Sequence, residues 1–359
     1  MAQIDQFLKV LVEQGGSDLH LTVGSPPIMR VHGNLQRIKF REISNTDMEA
    51  LVYEIMEEEW RISFVDRQDY DFAYEIEGLA RFRANVFWQR KGMGIVLRTI
   101  PSKILTADDL GLPEAVRRMC MLTKGLVLVT GPTGSGKSTT LAAMVDFINS
   151  TRTDHILTIE DPIEFVHPNK KALVNQREIR TNTKSFANAL RAALREDPDV
   201  ILVGEMRDKE TIELGITAAE TGHLVFGTLH TSSAPKTVDR IIDVFPADEQ
   251  EQVRSMLAES LKGVIAQVLL RHKDGNSRMA ALEIMVGTSA IGNLIRENKI
   301  HQIPSIIQTG KKAGMQLLDQ HILEFMMSGK ITPEEAYMKA NNKQAFLAHL
   351  DKPPESEFI

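Results

Sequence analysis

The sequence has almost no cysteine and no excess of positive charge. One cysteine, Cys120, stands among 359 residues, which excludes an intramolecular disulfide and any cysteine-rich zinc module, so we expect no zinc. The 42 Lys and Arg residues are outnumbered by 48 Asp and Glu residues, giving a net charge of −6. Nucleic-acid-binding proteins usually carry a basic balance, so this charge argues against nucleic acid as a partner.

Long apolar runs are missing as well. No window approaches the roughly 18 uninterrupted apolar residues that a membrane-spanning helix needs. Asp5 and Glu13 interrupt the apolar pattern at the start of the sequence, which therefore does not resemble a signal peptide. What is present is a globular composition, with 43% hydrophobic and 25% charged residues. At about 150 residues per domain, we expect a cytoplasmic protein of two or three domains.

Residues 1–101 have the pattern of a small α+β domain. The spacing of apolar residues predicts one helix at 1–14 and another at 46–64. Thr46 and Glu49 open the second helix at the spacing of a capping box. Short runs typical of strands precede and follow this helix; they are 18–23, 27–31, 69–76, 81–89 and 94–100.

From about residue 124, short apolar strands alternate with helices, which predicts a parallel sheet covered by helices on both faces. We place a linker at 102–123, this α/β domain at 124–350 and a frayed polar tail at 351–359. The part from about residue 233 is expected to be mostly helical. The apolar face of an amphipathic helix at 315–327 is expected to be buried, with a partner-binding groove as the alternative. The predicted strands and helices are, in chain order, 125–131, 137–150, 155–161, 185–197, 199–205, 208–222 and 223–230.

A glycine-rich phosphate loop joins the first of these strands to the first helix. Residues 131–138 read GPTGSGKS and match the pattern G-x-x-x-x-G-K-[ST] without a mismatch. Such glycines let backbone N–H groups turn toward one centre, while Lys137 can reach the β- and γ-phosphates of ATP and Ser138 can hold Mg²⁺. A glycine-rich turn without a ligand is the alternative. The predicted nucleotide-binding residues are Gly131, Pro132, Thr133, Gly134, Ser135, Gly136, Lys137, Ser138 and Thr139.

Acidic side chains follow two of the predicted strands. Glu205 ends an apolar strand and is predicted to hold Mg²⁺, directly or through water, because ligands lie at the C-terminal edge of a parallel sheet. Glu160, Asp161 and Glu164 cluster after another strand, where a cation would offset their mutual repulsion. Spacing alone leaves Glu160 and Glu164 open as the base that activates water. A solvated loop charge is the alternative for each acid.

The segment LREDPDVILVGEMRD at 194–208 resembles the signature of the type II/IV secretion ATPase superfamily. This resemblance implies a PAS-like α+β domain followed by a RecA-like phosphate-loop ATPase domain with a parallel sheet, assembled as a homohexameric ring. The similarity extends over nearly the whole chain. The segments that resemble pilus retraction ATPases of this superfamily are 17–35, 158–165, 221–234 and 303–319.

The resemblance also implies roles for single residues. In this family the segment matching 158–165 is the aspartate box, and its second glutamate, Glu164, is the general base. Glu205 matches the Walker B acid, and His223 with His230 match the histidine box. From the residues alone, His230 is either a sensor of the γ-phosphate or a structural side chain, whereas His223 is expected at the opposite end of its strand in a packing role.

Two arginines are candidates for a role between subunits. Arg81 and Arg83 alternate with apolar residues, so a period of two puts both on one strand face, opposite the packed face. A solvated basic face is one interpretation. The resemblance suggests the other, arginine fingers that reach the γ-phosphate of a neighbouring subunit, with Arg98 as a further candidate.

The resemblance implies a Mg²⁺-dependent ATPase that powers type IV pilus retraction and twitching motility, in peripheral contact with the inner-membrane platform of the pilus machine. The alternatives are a type II secretion or pilus-extension ATPase and a non-hydrolysing regulatory subunit. Extension ATPases usually add an N-terminal domain and a four-cysteine zinc site, neither of which is expected here. The acidic set argues against a non-hydrolysing subunit. Segment 289–300 resembles the retraction motif of the family, with Gly292 where an arginine is common.

Overall fold

The chain folds into two compact units. The first unit runs to Lys103 and also includes Pro162–Val166, and the second comprises the other residues. The predicted domain boundary near residue 101 lies close to this division, whereas the predicted tail at 351–359 lies outside the described residues. The ranges described by this computed structural model are 2–31, 33–100, 103–275 and 277–350.

The described residues of the first unit form helices and strands that match most of the predicted order. They are α1 (Ile4–Glu13), β1 (Gly16–Thr22), β2 (Ile28–Val31), β3 (Asn34–Arg37), α2 (Asn45–Tyr53), α3 (Glu58–Arg67), β4 (Asp69–Ile76), β5 (Ala80–Gln89) and β6 (Gly92–Ile100).

The sheet of the first unit has the strand order β3-β2-β1-β6-β5-β4, and each neighbouring pair is antiparallel. Successive side chains of β5 lie on opposite faces of this sheet. Phe82, Ala84 and Val86 are buried in the core, whereas Arg81 and Arg83 lie on the other face and are partly exposed. The predicted alternation of this strand is confirmed.

The single helix predicted at 46–64 is wrong, because the structure has two helices there. The hydroxyl of Ser44 accepts a hydrogen bond from the backbone N–H of Asp47 at 3.2 Å, and the Asp47 carboxylate accepts one from the backbone N–H of Ser44. This capping box starts two residues before the predicted pair of Thr46 and Glu49. Serine is the stronger N-cap residue, and the spacing of the two pairs is the same.

The described residues of the second unit alternate between strands and helices before a helical C-terminal part. Its strands are β7 (Gly125–Thr130), β8 (His155–Glu160), β9 (Leu173–Glu178), β10 (Val200–Val203), β11 (Leu224–Leu229), β12 (Leu261–Arg271) and β13 (Arg278–Val286). Its α-helices are α4 (Glu114–Cys120), α5 (Lys137–Thr151), α6 (Phe186–Ala193), α7 (Lys209–Glu220), α8 (Ala234–Asp243), α9 (Gln250–Ser260), α10 (Ser289–Arg296), α11 (Ile303–Thr309), α12 (Leu318–Met327), α13 (Pro333–Lys339) and α14 (Gln344–Leu347).

The sheet of the second unit has the order β13-β12-β7-β11-β10-β8-β9. All neighbours are parallel except β12 and β13. The central strands are buried along their whole length because both of their faces are covered. In β7, Leu126 and Leu128 face one hydrophobic core, while Val127 and Val129 face the other. The α/β sheet predicted from the alternating pattern is confirmed.

The part of the chain after residue 233 contains more sheet than the sequence suggested. β12 and β13 form an antiparallel hairpin at one edge, within a part expected to be mostly helical. Earlier in the chain, β9 adds a further parallel strand at the other edge, which the sequence did not predict. The pairing of β12 with β7 brings Gln267 beside the loop that follows β7.

The described part of the predicted linker at 102–123 packs into the second unit. α4 buries Val116, Met119 and Cys120 against a core face of the α/β sheet. Burial raises the pKa of the Cys120 thiol to about 12. The apolar spacing of this short helix explains why the segment is part of the second unit and not an exposed connection.

Close packing explains a glycine in α10. A Cβ atom on Gly292 would lie 3.0 Å from the carbonyl oxygen of Ala258 in α9, so the neighbouring backbone would have to move to admit a side chain.

In α12, the predicted apolar face is buried through Leu318, Ile322 and Met326.

Candidate nucleotide-binding site

The phosphate loop has the backbone geometry that its glycines permit. Gly131 follows β7 with a φ of +145°, and a Cβ atom there would lie 2.3 Å from the backbone oxygen of Gln267 and 2.6 Å from Oγ of Ser135. Gly136, with a φ of +88°, precedes α5. Only glycine adopts these conformations without strain at such close approaches. The loop therefore depends on glycine at its two ends.

The N-terminus of α5 forms the floor of the candidate site. No side chain caps this helix at Gly136, so its first N–H groups and its dipole favour an anion. The Ser135 hydroxyl is buried and has no hydrogen-bond partner among the described residues. The Lys137 ammonium lies across the loop and donates to the carbonyls of Gly131 at 2.9 Å and Pro132 at 3.2 Å. These features fit the phosphates of a nucleotide.

Three of the predicted site residues come together at the C-terminal edge of the sheet. Nε2 of His230, after β11, lies 3.0 Å from Oε1 of Glu205, after β10. Nδ1 of the same ring lies 3.5 Å from Nζ of Lys137. A neutral ring with its proton on Nε2 satisfies both contacts, since it donates to the carboxylate and accepts from the ammonium. Arg207 adds an ion pair to Glu205.

The carboxylates after β8 have their own partners. Oε1 of Glu160 accepts hydrogen bonds from Oγ1 of Thr158 at 2.7 Å and from Nε2 of Gln176 at 3.3 Å. Asp161 forms an ion pair with Arg180 at 3.2 Å. Glu160 is therefore oriented by neighbouring polar side chains, and Asp161 is balanced by a cation.

The other predicted base, Glu164, lies in the segment that belongs to the first unit. There it lines a pocket of about 330 Å³ together with Glu75, Arg81 and Ile100. Nη1 of Arg81 lies 3.6 Å from a carboxylate oxygen of Glu75. Within this unit, the structure thus brings Glu164 and Arg81 to one pocket.

The other two candidate arginines have partners elsewhere on the same sheet. Nε of Arg83 lies 3.8 Å from Oδ1 of Asp71. Arg98 donates from Nε to Oδ1 of Asp18 at 2.8 Å, while its side chain is 70% exposed. Arg83 and Arg98 do not line the pocket that contains Arg81 and Glu164.

The donors near the phosphate loop suit Mg²⁺. Ser138 lies in the first turn of α5, next to Lys137, and Glu205 supplies a carboxylate at the same sheet edge. No group of three or more His, Cys, Asp and Glu residues within the described ranges forms a metal-binding cluster. Mg²⁺ usually takes one or two protein oxygens together with substrate phosphates and water, so a hydroxyl and one carboxylate match its needs.

Two polar residues of the site were missed from the sequence. Arg207 lies two positions after Glu205 in the same loop, a proximity that identifies it as a partner for that carboxylate. Gln267 lies on β12, where no strand was expected. The sequence around it therefore gives no indication that it contacts the phosphate loop. His223, as expected, lies at the opposite end of β11, where Nδ1 is 3.0 Å from the backbone oxygen of Ala218.

Among the described residues, no helix is long and apolar enough to cross a bilayer.

Comparison with known proteins gives matches along nearly the whole chain. The family model described as "Type II/IV secretion system protein" matches residues 1–351. The chain is 56% identical over 343 residues to the type IV pilus retraction ATPase PilT of Pseudomonas aeruginosa, covering 96% of this chain and 99% of that protein. It is 55% identical over 319 residues to a twitching motility protein of Neisseria gonorrhoeae, covering 89% and 85%. A crystal structure of the pilus retraction motor PilT with bound ADP matches with a TM-score of 0.89 and 47% identity, covering 96% and 98%.

Proposed function

Because this chain belongs to the type II/IV secretion system protein family, we propose that it is an ATP-hydrolysing motor that powers type IV pilus retraction and twitching motility. The high identity to PilT over almost the full length of both chains carries this proposal. The phosphate loop supports it, since its glycines, helix N-terminus and lysine suit a nucleotide.

Binding begins at the phosphate loop. Backbone N–H groups at the start of α5 and the Lys137 ammonium hold the β- and γ-phosphates. Mg²⁺ carried with the nucleotide would be held by the Ser138 hydroxyl and by Glu205, directly or through water, and would neutralise phosphate charge. Lys137 also contacts His230, which in turn contacts Glu205. A lysine drawn toward the γ-phosphate changes its contact with His230, and the histidine transmits this change to Glu205. His230 thereby senses the γ-phosphate.

Hydrolysis needs a base for the attacking water. Glu164 is the proposed base, and Glu160 is the alternative. The base accepts a proton from water as the water oxygen bonds to the γ-phosphorus and the bond between this phosphorus and the bridging oxygen of ADP breaks. The products are ADP and inorganic phosphate, and positive groups stabilise the charge on the transferring phosphoryl group.

We propose a homohexamer as the working assembly. Arg81 and Arg83 of one subunit would complete the site of its neighbour, and the ring would contact the inner-membrane platform of the pilus machine peripherally from the cytoplasm. Movement of the two units during the ATP cycle would then drive pilus retraction.

The test combines phosphate release with pilus retraction in a piliated bacterium that lacks its own retraction ATPase. The parent chain is expected to hydrolyse ATP and restore retraction. Lys137→Ala is expected to abolish both, because the loop loses its side-chain cation on the phosphates. Lys170→Ala is the matched control: this lysine pairs with Asp146 of α5 at 2.7 Å, and its loss should leave the rate unchanged.

Each other outcome identifies a different function. Parental hydrolysis by Lys137→Ala would contradict the phosphate-loop assignment. Hydrolysis without restored retraction would favour a secretion or pilus-extension ATPase. Nucleotide binding without hydrolysis in the parent chain would favour a regulatory subunit.

A further inference from the structure

A glutamine on the hairpin strand β12 makes two buried hydrogen bonds to the phosphate loop and its helix. The side chain of Gln267 is almost completely buried, and the residue is 1% exposed. Its Nε2 donates to the backbone oxygen of Ser135 at 2.6 Å. Its Oε1 accepts from Oγ1 of Thr140, in the first turn of α5, at 2.9 Å. One amide group thus joins the middle of the loop to the start of the helix.

The same residue also meets both glycines that shape the loop. The backbone oxygen of Gln267 occupies the space into which a Cβ atom on Gly131 would project, and its Nε2 lies 3.3 Å from the corresponding position on Gly136. The loop therefore closes around Gln267 at its first glycine, its central serine and its last glycine. Parallel pairing of β12 with β7, with Ala266 opposite Thr130, fixes this position.

These contacts matter for anion binding because the loop must aim its N–H groups at one centre. The Ser135 carbonyl is held away from that centre by its bond to Gln267. The Thr140 bond holds the first turn of α5 in line with the loop. Both hydrogen bonds are buried, where an unpaired polar group is costly, so the loop has a strong preference for this single arrangement.

We propose that Gln267 is a positioning residue that keeps the phosphate loop in its phosphate-binding conformation. It acts through Ser135 and Thr140 and does not itself touch the nucleotide. The proposal rests on the proposed function, because it concerns the affinity of the same loop for ATP and ADP.

The test measures ADP affinity by calorimetry and thermal unfolding without nucleotide for the full chain. Gln267→Leu is expected to weaken ADP binding by about tenfold or more, since two buried partners lose their hydrogen bonds. Thr140→Val should weaken it in the same direction, whereas Thr140→Ser keeps the hydroxyl and should restore affinity. In the double variant Gln267→Leu with Thr140→Val, the fold-loss of ADP affinity should be smaller than the product of the two single losses. The reason is that the two side chains act through one hydrogen bond.

Gln316→Leu is the matched control. Its Nε2 donates to the backbone oxygen of Leu282 at 2.8 Å, a structural contact of β13 away from the loop. This variant should unfold at a lower temperature with parental ADP affinity. If Gln267→Leu loses no more affinity than this control, the positioning role is wrong. If Gln267→Leu does not fold, the Thr140 variants decide: equal affinity for Val and Ser at this position would overturn the proposal.

ADP binding by the parent chain and by Gln267→Leu distinguishes the proposed function from the role of Gln267. A parent chain that does not bind ADP would contradict the proposed function. A parent chain that binds ADP, with a Gln267→Leu variant that binds it equally well, would contradict only the role of Gln267.

Discussion

Two glutamates compete for the role of base, and their surroundings differ. Glu160 is tied to Thr158 and Gln176 by hydrogen bonds, whereas Glu164 lines the pocket that contains Arg81. We expect Glu164→Gln to bind ATP normally and to hydrolyse it about 10²–10⁴ times more slowly, because a positioned base accounts for a factor of this size. Single-turnover phosphate release measures this step.

Glu160→Gln serves as the matched comparison, since it changes a neighbouring carboxylate in the same way. We expect a smaller loss of rate, because an amide at this position keeps an oxygen that can accept from Thr158. If Glu160→Gln is inactive and Glu164→Gln is not, the base is Glu160.

The site residues that belong to a contiguous motif, or that directly follow an apolar strand, could be predicted from the sequence. A site residue that reaches the loop only through the pairing of distant strands could not. Lys137 was identified because the loop pattern is contiguous in the chain and sits between a strand and a helix. Glu205 and His230 were identified because each follows an apolar strand, and the ends of parallel strands meet at one edge. Gln267 was missed because its contact with Ser135 depends on the pairing of β12 with β7, which joins positions 132 residues apart in the chain.

Among the elements, the central parallel strands were predicted, whereas the edge strand β9 and the edge hairpin were not. β7, β10 and β11 are short apolar runs bounded by loops, which is the pattern of strands buried on both faces. β12 begins at Leu261, directly after α9 ends at Ser260. No glycine or proline separates the two elements, so the boundary carries no turn signal, and the strand is specified by its partners in the sheet.

Helix α12 should stabilise the second unit through its buried face. Ile322 is fully buried in a cluster with Leu318 and Met326, so Ile322→Ala should lower the free energy of unfolding by about 2–5 kcal/mol through the lost contacts and the cavity. Met327 is 70% exposed, and Met327→Ala is the control, with an expected change within about 0.5 kcal/mol. Denaturant unfolding measures both. An Ile322→Ala variant of parental stability that no longer retracts pili would indicate a partner-binding groove instead.

A histidine that joins α12 to β13 should make stability depend on pH. Nδ1 of His321 accepts from the backbone N–H of Leu282 at 3.0 Å and lies 2.9 Å from Nε2 of Gln316, so the ring is held neutral. Burial lowers the pKa of His321 below its usual value of 6.5. The unfolded chain therefore takes up a proton at a higher pH than the folded chain does. Stability is fully present above about pH 6.5 and is lost as the pH falls toward the lowered pKa of the folded state.

Urea unfolding between pH 7.5 and 5 measures this dependence. His321→Leu should reduce the slope of the unfolding free energy against pH by at most about 1.4 kcal/mol per pH unit, which corresponds to one proton. The exposed His301 provides the control, since His301→Leu should leave the slope unchanged. His167 adds to the slope in the same direction, because burial lowers its pKa to about 4. A slope that is identical in the parent and in His321→Leu would show that protonation of His321 is not coupled to folding.

At the scale of the whole molecule, catalysis should require more than one chain. If Arg81 and Arg83 act on the site of a neighbour, specific ATPase activity should rise with protein concentration. Replacing both with alanine should lower kcat by about 10³–10⁵, the effect of removing an arginine finger in other phosphate-loop enzymes, without preventing folding or ATP binding. Arg90→Ala, in the exposed turn after β5, is the control and should keep the parental rate.

Mixing variants separates this role from a solvated basic face. The double arginine variant, mixed with Lys137→Ala, should regain activity, because an intact loop of one chain can meet intact arginines of another. If the mixture stays inactive and activity per chain does not depend on concentration, the fingers lie elsewhere, and Arg98 is the next candidate. Normal hydrolysis by the double variant would assign Arg81 and Arg83 to the solvated face.

The buried position of Cys120 has a practical consequence for watching such a motor at work. It is the one cysteine of the sequence, it packs in a core of the second unit, and its raised pKa leaves almost no thiolate at neutral pH. Maleimide dyes react with thiolates, so the parent chain should remain unlabelled without any substitution. A cysteine introduced on the surface of each unit would then carry the fluorophores, and energy transfer between them would follow the motion of a single chain through one turnover.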